Sequence, residues 1–412
     1  MSIIKRTNCQ VCNKKLMPAS LKLGNHPLCD DLIKIGSSEI CKEYPIEISL
    51  CNNCYTAHNL YNINKEILFP KNYHFRPRFT MDVLNGMRDL VDSVEKDLKS
   101  LQDLLVCDVG CNDGSLLNFF KEKKAHTSGI EPTDSAHEAK EQSHYIIQDY
   151  FTEKACEKYL SRKKKPDIIT FTNVFAHTED LSETLNCLKK IMKIDTYLVI
   201  ENHYLGTIVK TNQFDTFYHE HPRTYSVKSF QEIAKKLELE IVNIKFPERY
   251  GGNIRVSMIN SKSSKIKYIK SKNQVKFEDE NYIPKYFSNV QNFINNWKNV
   301  TSEKIEDLLK YKLNIYGKSF PGRAAILTKL LNLNENHMKA VFEKEGSAKI
   351  NHYVPSTRIK ILGDNNWVTG EVNPDIFIIW GWHIHKEIKN YLRKNNFKGR
   401  IFTPLPEFIE LK

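Results

Sequence analysis

The stretch Leu104-Leu105-Val106-Cys107-Asp108-Val109-Gly110-Cys111-Asn112-Asp113-Gly114-Ser115-Leu116-Leu117 constrains the fold more than any other part of this chain. An apolar run, a turn with two glycines and a second apolar run read as a buried strand, a tight turn and a helix start. Gly110 and Gly114 let backbone approach a ligand with no Cβ in the way. About 20 residues on, Gly129-Ile130-Glu131-Pro132 ends a second strand, where a carboxylate can accept hydrogen bonds from ribose hydroxyls. Upstream, Val83, Leu84, Met87, Leu90, Val91, Val94 and Leu98 fall at helical spacing, with Thr80 placed to cap the helix start. Downstream, Asp167 to His177 reads as a fourth strand running into a loop, and Tyr197 to His203 as a fifth. Ligands of open α/β sheets bind beyond the carboxyl ends of the strands. That rule singles out Asp108, Gly110, Asn112, Gly114, Glu131, Asn173 and His177. It also singles out Asp149 and Phe151, which follow the third strand and could meet an adenine ring.

Such a unit would serve a dinucleotide or S-adenosylmethionine, and two details favour the second. A dinucleotide fingerprint needs glycines spaced G-x-G-x-x-G to close on a pyrophosphate. Here Asn112 and Ser115 break that spacing. Asp108 at the strand end would also repel a pyrophosphate, whereas it suits a cationic amino-acid group. The D-x-G-x-x-x-G pattern resembles the first motif of class I methyltransferases.

Near the start, Cys9-Gln10-Val11-Cys12 and Cys51-Asn52-Asn53-Cys54 are two CxxC pairs. Four such thiolates close a tetrahedral site with no open ligand position, so the expected ion is a structural Zn²⁺. Cys29 and Cys41 lie in the intervening loop, and either could replace one of the four. His26 and His58 read as ordinary surface or packing histidines.

Further along, Tyr218-His219-Glu220-His221 places a phenol, two imidazoles and a carboxylate in a row. These are the groups that move protons near neutral pH. On its own such a run is equally a polar loop whose histidines satisfy backbone groups. Extended backbone would put Tyr218 and His221 on opposite faces. They converge only if the run is turned or helical, so a turn is expected here.

In the last third, Asn314 to Arg323 reads as strand, glycine turn and helix start, and Ile376 to Trp380 as a buried parallel strand. These suggest a second doubly wound unit. Gly317, Lys318, Ser319 and Arg323 could contact phosphate at its turn, or the turn is purely structural.

The order of these pieces resembles the S-adenosylmethionine-dependent sugar C-methyltransferases of deoxysugar biosynthesis. The matching residues are the four cysteines, Val109 to Gly114, Gly129 to Pro132, Asn173-Val174-Phe175-Ala176-His177, Tyr218 to His221, Gly251-Gly252-Asn253-Ile254-Arg255 and Tyr316-Gly317-Lys318. The resemblance spans nearly the whole chain. It implies an α/β chain: a four-cysteine zinc-binding domain (1–70), a class I methyltransferase Rossmann-like domain with a leading helix (71–245), a connecting, substrate-contacting segment (246–300) and a second Rossmann-like α/β domain (301–412). The implied substrate is a nucleotide-diphosphate-linked 4-keto sugar, methylated beside the ketone. His221 is the implied base, Tyr218 and Glu220 orient the sugar and stabilise the enolate oxygen, and His177 stands nearby. The family's second site tyrosine and its small polar neighbours are replaced here by Phe75, Arg76 and Arg78. Tyr73 or His74 would substitute for the tyrosine, and the arginines could bind an acidic or different nucleotide substrate.

Composition bounds the rivals. The chain has 412 residues, enough for two or three domains, and no apolar run near the roughly 20 residues of a membrane span. Lacking an N-terminal secretion signal, it is expected in the cytoplasm, as a monomer or weak dimer with no membrane partner. Sixty-one basic against 49 acidic residues give +12, which attracts anions. The lysine-rich run Lys262 to Lys276 is expected to be a solvated connection. A zinc-containing RNA methyltransferase would also be basic, but Asn173 is not followed by Pro-Pro-Tyr and no aromatic-rich basic module is evident, so no nucleic-acid partner is expected. A metal hydrolase using His219 and His221 with His203 or His177, and a non-catalytic scaffold, fit the cofactor motif less well. A sugar O-methyltransferase, which needs a base but no enolate, is the nearest alternative.

Overall fold

In a computed structural model, residues 3–73, 75–264 and 275–412 are described. His74 and the lysines at 265, 267, 270 and 272 lie outside the described residues.

The apolar stripe of the leading segment becomes the buried face of helix Met81–Leu98, through Val83, Met87, Leu90, Val91 and Val94. Thr80 stands at its N-cap but makes no side-chain capping bond. Its backbone N–H instead closes the preceding Pro77–Phe79 turn on the Pro77 carbonyl. The helix packs over a seven-stranded sheet ordered Leu239–Lys245, Asn253–Asn260, Tyr197–His203, Ile168–Thr172, Leu105–Val109, His126–Ile130 and Tyr145–Ile147. The last five in that order run parallel, and Asn253–Asn260 is antiparallel to both of its neighbours. Strand order reverses between Leu105–Val109 and Ile168–Thr172, which places Gly110 and Asn173 at the switch point. Gly110 adopts φ +71°, and a Cβ there would come within 2.5 Å of Val174, so the turn demands glycine twice over.

A second seven-stranded sheet is ordered His352–Tyr353, Lys360–Gly363, Ala340–Glu343, Ile315–Lys318, Ile376–Ile379, Arg400–Thr403 and Ile409–Glu410. Its five central strands are parallel, as expected for a doubly wound unit, and Ile315–Lys318 pairs with Ile376–Ile379. Its own switch point therefore lies beside Ser319 and Gly381.

The N-terminal segment forms a small antiparallel sheet of Leu21–Pro27, Glu43–Leu50 and Ala57–Asn59. Its fourth strand, Arg223–Thr224, comes from just beyond His221. One buried cluster runs through Leu21, Ile46, Phe214, Phe217, Trp297, Ile326 and Ile378. The small sheet, the 205–217 segment and the C-terminal sheet thus share a core, and Tyr218 to His221 leaves that core on a rigid base. No described helix is long and apolar enough to cross a membrane.

Candidate active site

The two switch points face a common cavity of about 780 Å³. On the side of the first sheet it is lined by Asp108, Gly110, Asn112, Glu131, Phe151 and Asn173. Gly114 sits one turn back as the N-cap of helix Ser115–Glu122, and Asp149 does not line the cavity; its neighbour Tyr150 does. Asp149 accepts a hydrogen bond from the Tyr150 backbone N–H. Two buried carboxylates dominate here. Asp108 accepts from Thr170 Oγ1 at 2.6 Å, and burial, reinforced by Glu131, raises its pKa to about 7. Glu131 accepts from the Asn112 N–H at 2.9 Å and from Thr133 N and Oγ1 at 2.8 and 2.6 Å. Asn112 Oδ1 is buried with no hydrogen-bond partner. Two carboxylates with one orphaned amide oxygen are an acceptor set for a ligand carrying a cation and hydroxyl groups, as S-adenosylmethionine does.

The other side holds the titratable groups Tyr218, Glu220, His221 and His177. His221 N–H bonds the Tyr218 carbonyl at 2.9 Å, so the run is turned as its chemistry requires. Tyr218 and His221 rings lie 4.3 Å apart, His177 and His221 rings 4.9 Å, and His203 and His221 rings 5.2 Å. His221 Nδ1 lies 2.9 Å from the Thr216 carbonyl oxygen. A carbonyl only accepts, so Nδ1 carries the proton and Nε2 keeps its lone pair. Burial pulls this imidazole down to about 4, against the Thr216 bond and with help from Arg323. The ring is therefore neutral throughout the physiological range. Glu220 behaves oppositely: burial and Asp30 push its carboxyl up to about 8, against Lys349 and a hydrogen bond from Tyr73. His177 Nδ1 lies 4.0 Å from Glu220 Oε2 and has no hydrogen-bond partner. His219 is turned away, onto the Tyr44 carbonyl at 3.1 Å.

Arg323, from the second α/β unit, lies at the same site. Its Nε is 3.1 Å from Asp215 Oδ2, its Nη1 is 3.3 Å from Thr216 Oγ1, and its guanidinium covers the Trp382 ring at 4.6 Å. It thus braces the backbone that orients His221. Lys318 is placed elsewhere: it is buried on Asp364 at 2.7 and 2.9 Å and does not line the cavity. Arg76 lines the cavity, yet its Nε is engaged by Glu138 at 2.7 Å, and Arg78 shares that carboxylate. Asp113 lies 3.4 Å from Arg78.

Sequence reasoning passed over several lining residues. His203 stood only as a rival metal ligand, although it ends the fifth strand, where the strand-end rule points. Arg249 and Tyr250 lie beside the Gly251-Gly252-Asn253 motif, and Asp30, Lys349 and His383 reach the cavity from distant loops.

The four cysteines converge. Cys9 and Cys54 Sγ atoms are 3.5 Å apart, Cys12 and Cys51 3.4 Å, and all four fall within 4.8 Å of one another. Tetrahedral zinc with bonds of about 2.3 Å needs sulfurs roughly 3.8 Å apart, which this set meets. Cys29 and Cys41 take no part: Cys29 lines the cavity and Cys41 bonds the Asp31 carbonyl. His26 and His58 are not surface residues, since both are 1% exposed. His58 Nε2 stands 3.2 Å from Cys9 Sγ, held there because its strand is paired on both sides within the small sheet beside the knot.

Three domain families match the chain in series. Residues 9–69 match "Putative zinc binding domain", 80–244 match "Methyltransferase domain" and 248–406 match "C-methyltransferase C-terminal domain". The chain thus carries, in series, matches to a zinc-binding, a methyltransferase and a C-methyltransferase C-terminal domain. It is 25% identical over 253 residues to C-methyltransferase NovU of Streptomyces niveus, a match covering 60% of this chain and 59% of that relative. Among solved structures, magnesium protoporphyrin IX methyltransferase ChlM of Synechocystis PCC 6803 with bound SAH aligns at TM-score 0.35 and 17% identity, over 44% of this chain and 84% of that one. The PH0226 protein of Pyrococcus horikoshii OT3 aligns at 0.37 and 13%, over 47% of this chain and all of that one.

Proposed function

We propose that the protein is an S-adenosylmethionine-dependent C-methyltransferase that methylates a nucleotide-diphosphate-linked keto sugar at the carbon beside its ketone. The observation that carries this reading is the bond from His221 Nδ1 to the Thr216 carbonyl. It fixes the tautomer that leaves Nε2 as a base, in a cavity shared with Asp108 and Glu131. Asp108, Gly110, Asn112, Glu131 and Asn173 would hold S-adenosylmethionine, which would supply an electrophilic methyl group to the enolate carbon as its S–CH3 bond breaks and the neutral thioether S-adenosylhomocysteine leaves. His221 Nε2 takes the proton from the carbon beside the ketone, and the C–H electron pair passes into the enolate. Glu220, protonated below its raised pKa, donates a hydrogen bond to the oxygen on which charge develops, and Tyr218 supplies a second donor. The imidazolium formed beside the enolate is stabilised by that new charge, which offsets the low pKa of the resting ring. Tyr73 holds Glu220 in place through a hydrogen bond, and His177 stands beside it. Base catalysis of this kind contributes roughly 10²–10⁴ in rate, and the oxygen's donors a comparable factor.

The test uses the full chain with S-adenosylmethionine and candidate nucleotide-linked keto sugars in deuterated water. The expected result is deuterium at the carbon beside the ketone, abolished in His221→Ala. Methyl transfer without any exchange would sink the enolate route and leave an O-methylation.

A further inference from the structure

We propose that Arg223 is a positioning residue that couples the four-cysteine metal knot to His177 and His221. The proposal rests on His221 being the catalytic base with His177 beside it. Arg223 is two residues beyond His221, is 1% exposed, and lies in the strand that completes the zinc-binding sheet. Every hydrogen bond of its guanidinium goes to a neutral oxygen. Nε donates to Tyr225 Oη at 2.9 Å. Nη1 donates to Gln10 Oε1 and to the Glu179 carbonyl. Nη2 donates to the Thr178 carbonyl and, at 2.9 Å, to Thr178 Oγ1. Gln10 sits inside the Cys9–Cys12 knuckle, and Thr178 follows His177 directly. One planar group thus grips the metal knuckle, the loop bearing His177 and the strand leaving His221.

Charge completes the argument. Among the described residues, no carboxylate lies within ion-pair distance of Arg223. A buried cation without a counter-charge costs several kcal/mol. Four thiolates around one Zn²⁺ carry a net charge of −2. The knot is adjacent: in register, Arg223 faces His58, and His58 Nε2 is 3.2 Å from Cys9 Sγ. The loaded knot is therefore the counter-ion of Arg223. The second knuckle holds the same segment, because Ser226 and Ser229 hydroxyls both donate to the Cys54 carbonyl at 3.1 Å. The metal lies outside the cavity, yet it fixes where both histidines stand. None of these bonds reaches Asp108 or Glu131, so cofactor binding is independent of them.

The experiment compares zinc-loaded full-length protein with Arg223→Lys, which keeps the charge and loses the fork. Four quantities are read: zinc release to a chromogenic chelator, S-adenosylhomocysteine affinity by calorimetry, His177 and His221 imidazole NMR shifts, and turnover. Arg223→Lys is expected to release zinc at least about tenfold faster and to shift both imidazole signals. Turnover falls about 10²-fold, the scale set by an ångström-sized misplacement. Affinity for S-adenosylhomocysteine stays within about twofold. Unchanged imidazole signals and zinc release overturn the proposal, as does a parallel loss of cofactor affinity. If Arg223→Lys does not fold, Gln10→Ala, which removes only the knuckle's end of the clamp, must show the same split in smaller measure, and its absence overturns the proposal. Should keto sugars prove not to be substrates, the zinc and NMR readouts still decide the matter.

Discussion

His221 and Glu220 are adjacent in sequence and are driven to opposite protonation states by the same burial. The imidazole is held neutral down to about 4 and the carboxyl is held protonated up to about 8. A base must be unprotonated and a hydrogen-bond donor must be protonated. The rate of deuterium exchange should therefore be level between about pH 6.5 and 7, where the imidazole is already neutral, and fall through about pH 8. Glu220→Gln keeps a donor that cannot ionise, so its profile should lose the alkaline limb; a limb that persists in this variant would remove Glu220 from the role. Asp108 gives a second test. A cationic ligand favours its ionised form, so S-adenosylmethionine should bind more tightly as pH rises through about 7, and Asp108→Asn should abolish that dependence. Calorimetry at pH 6, 7 and 8 decides it. The places of these side chains were legible in sequence from strand ends and a three-residue spacing, while the roles proposed for His221 and Glu220 came from the family resemblance. The Thr216 carbonyl that sets the tautomer, and Asp30 and Lys349 that tune Glu220, were not. They reach the cavity from separate loops, and nothing in local spacing encodes that.

At the level of elements, strand Tyr197–His203 organises the cavity floor through one carboxylate. Glu201 is fully buried and accepts from Arg249 Nε and Arg255 Nε, each at 2.6 Å, and from Asn253 Nδ2 at 3.0 Å. Arg249 lines the cavity, and Arg255 continues to Asp89 on the leading helix at 2.9 Å. Glu201→Ala leaves two buried guanidiniums, and breaking a buried pair in this way costs about 3–5 kcal/mol. Denaturant titration should show that loss; a change under about 1 kcal/mol would mean that water takes over the role. The strands themselves were legible from their apolar runs and flanking glycines, whereas the pairing of Ile315–Lys318 with Ile376–Ile379 was not. Lys318 shows the limit. A lysine after a strand and before a helix reads equally as a phosphate contact or as a buried ion pair, and only the position of Asp364, far along the chain, selects the second. Gly251-Gly252-Asn253 was legible as a motif, but its purpose is the antiparallel strand that brings Asn253 and Arg255 to Glu201.

The whole molecule carries the consequence of burying so many imidazoles. His26, His144, His219 and His221 are pulled to about 4 and His58 and His383 to about 3, all chiefly by burial, while His177 and His203 fall well below 6.5 for the same cause. Below about pH 6.5 the unfolded chain takes up protons at these sites and the folded chain does not, so stability falls as pH drops from about 6.5 towards 4. Each such imidazole contributes up to about 1.4 kcal/mol per pH unit across that window. Asp108 and Glu220 act in the opposite sense, since their folded pKa values are raised. Their contribution is complete below about 4 and is lost as pH climbs through about 7 and 8. Even with Glu131, Asp215 and Asp31, which burial raises in the same sense, five carboxyls cannot balance eight imidazoles below 6.5, but above it the imidazoles no longer change and the carboxyls decide. Stability should therefore peak near pH 6.5, decline gently towards 8 and collapse steeply between 6 and 5. Loss of Zn²⁺ from protonated thiols adds to the acid side, so the measurement is made with zinc in excess. Guanidinium midpoints at pH 8, 6.5, 5.5 and 5 check it. A midpoint that is level from 6.5 to 5 would mean that the imidazoles are hydrated in the folded state, and the neutral tautomer assigned to His221 would lose its physical basis.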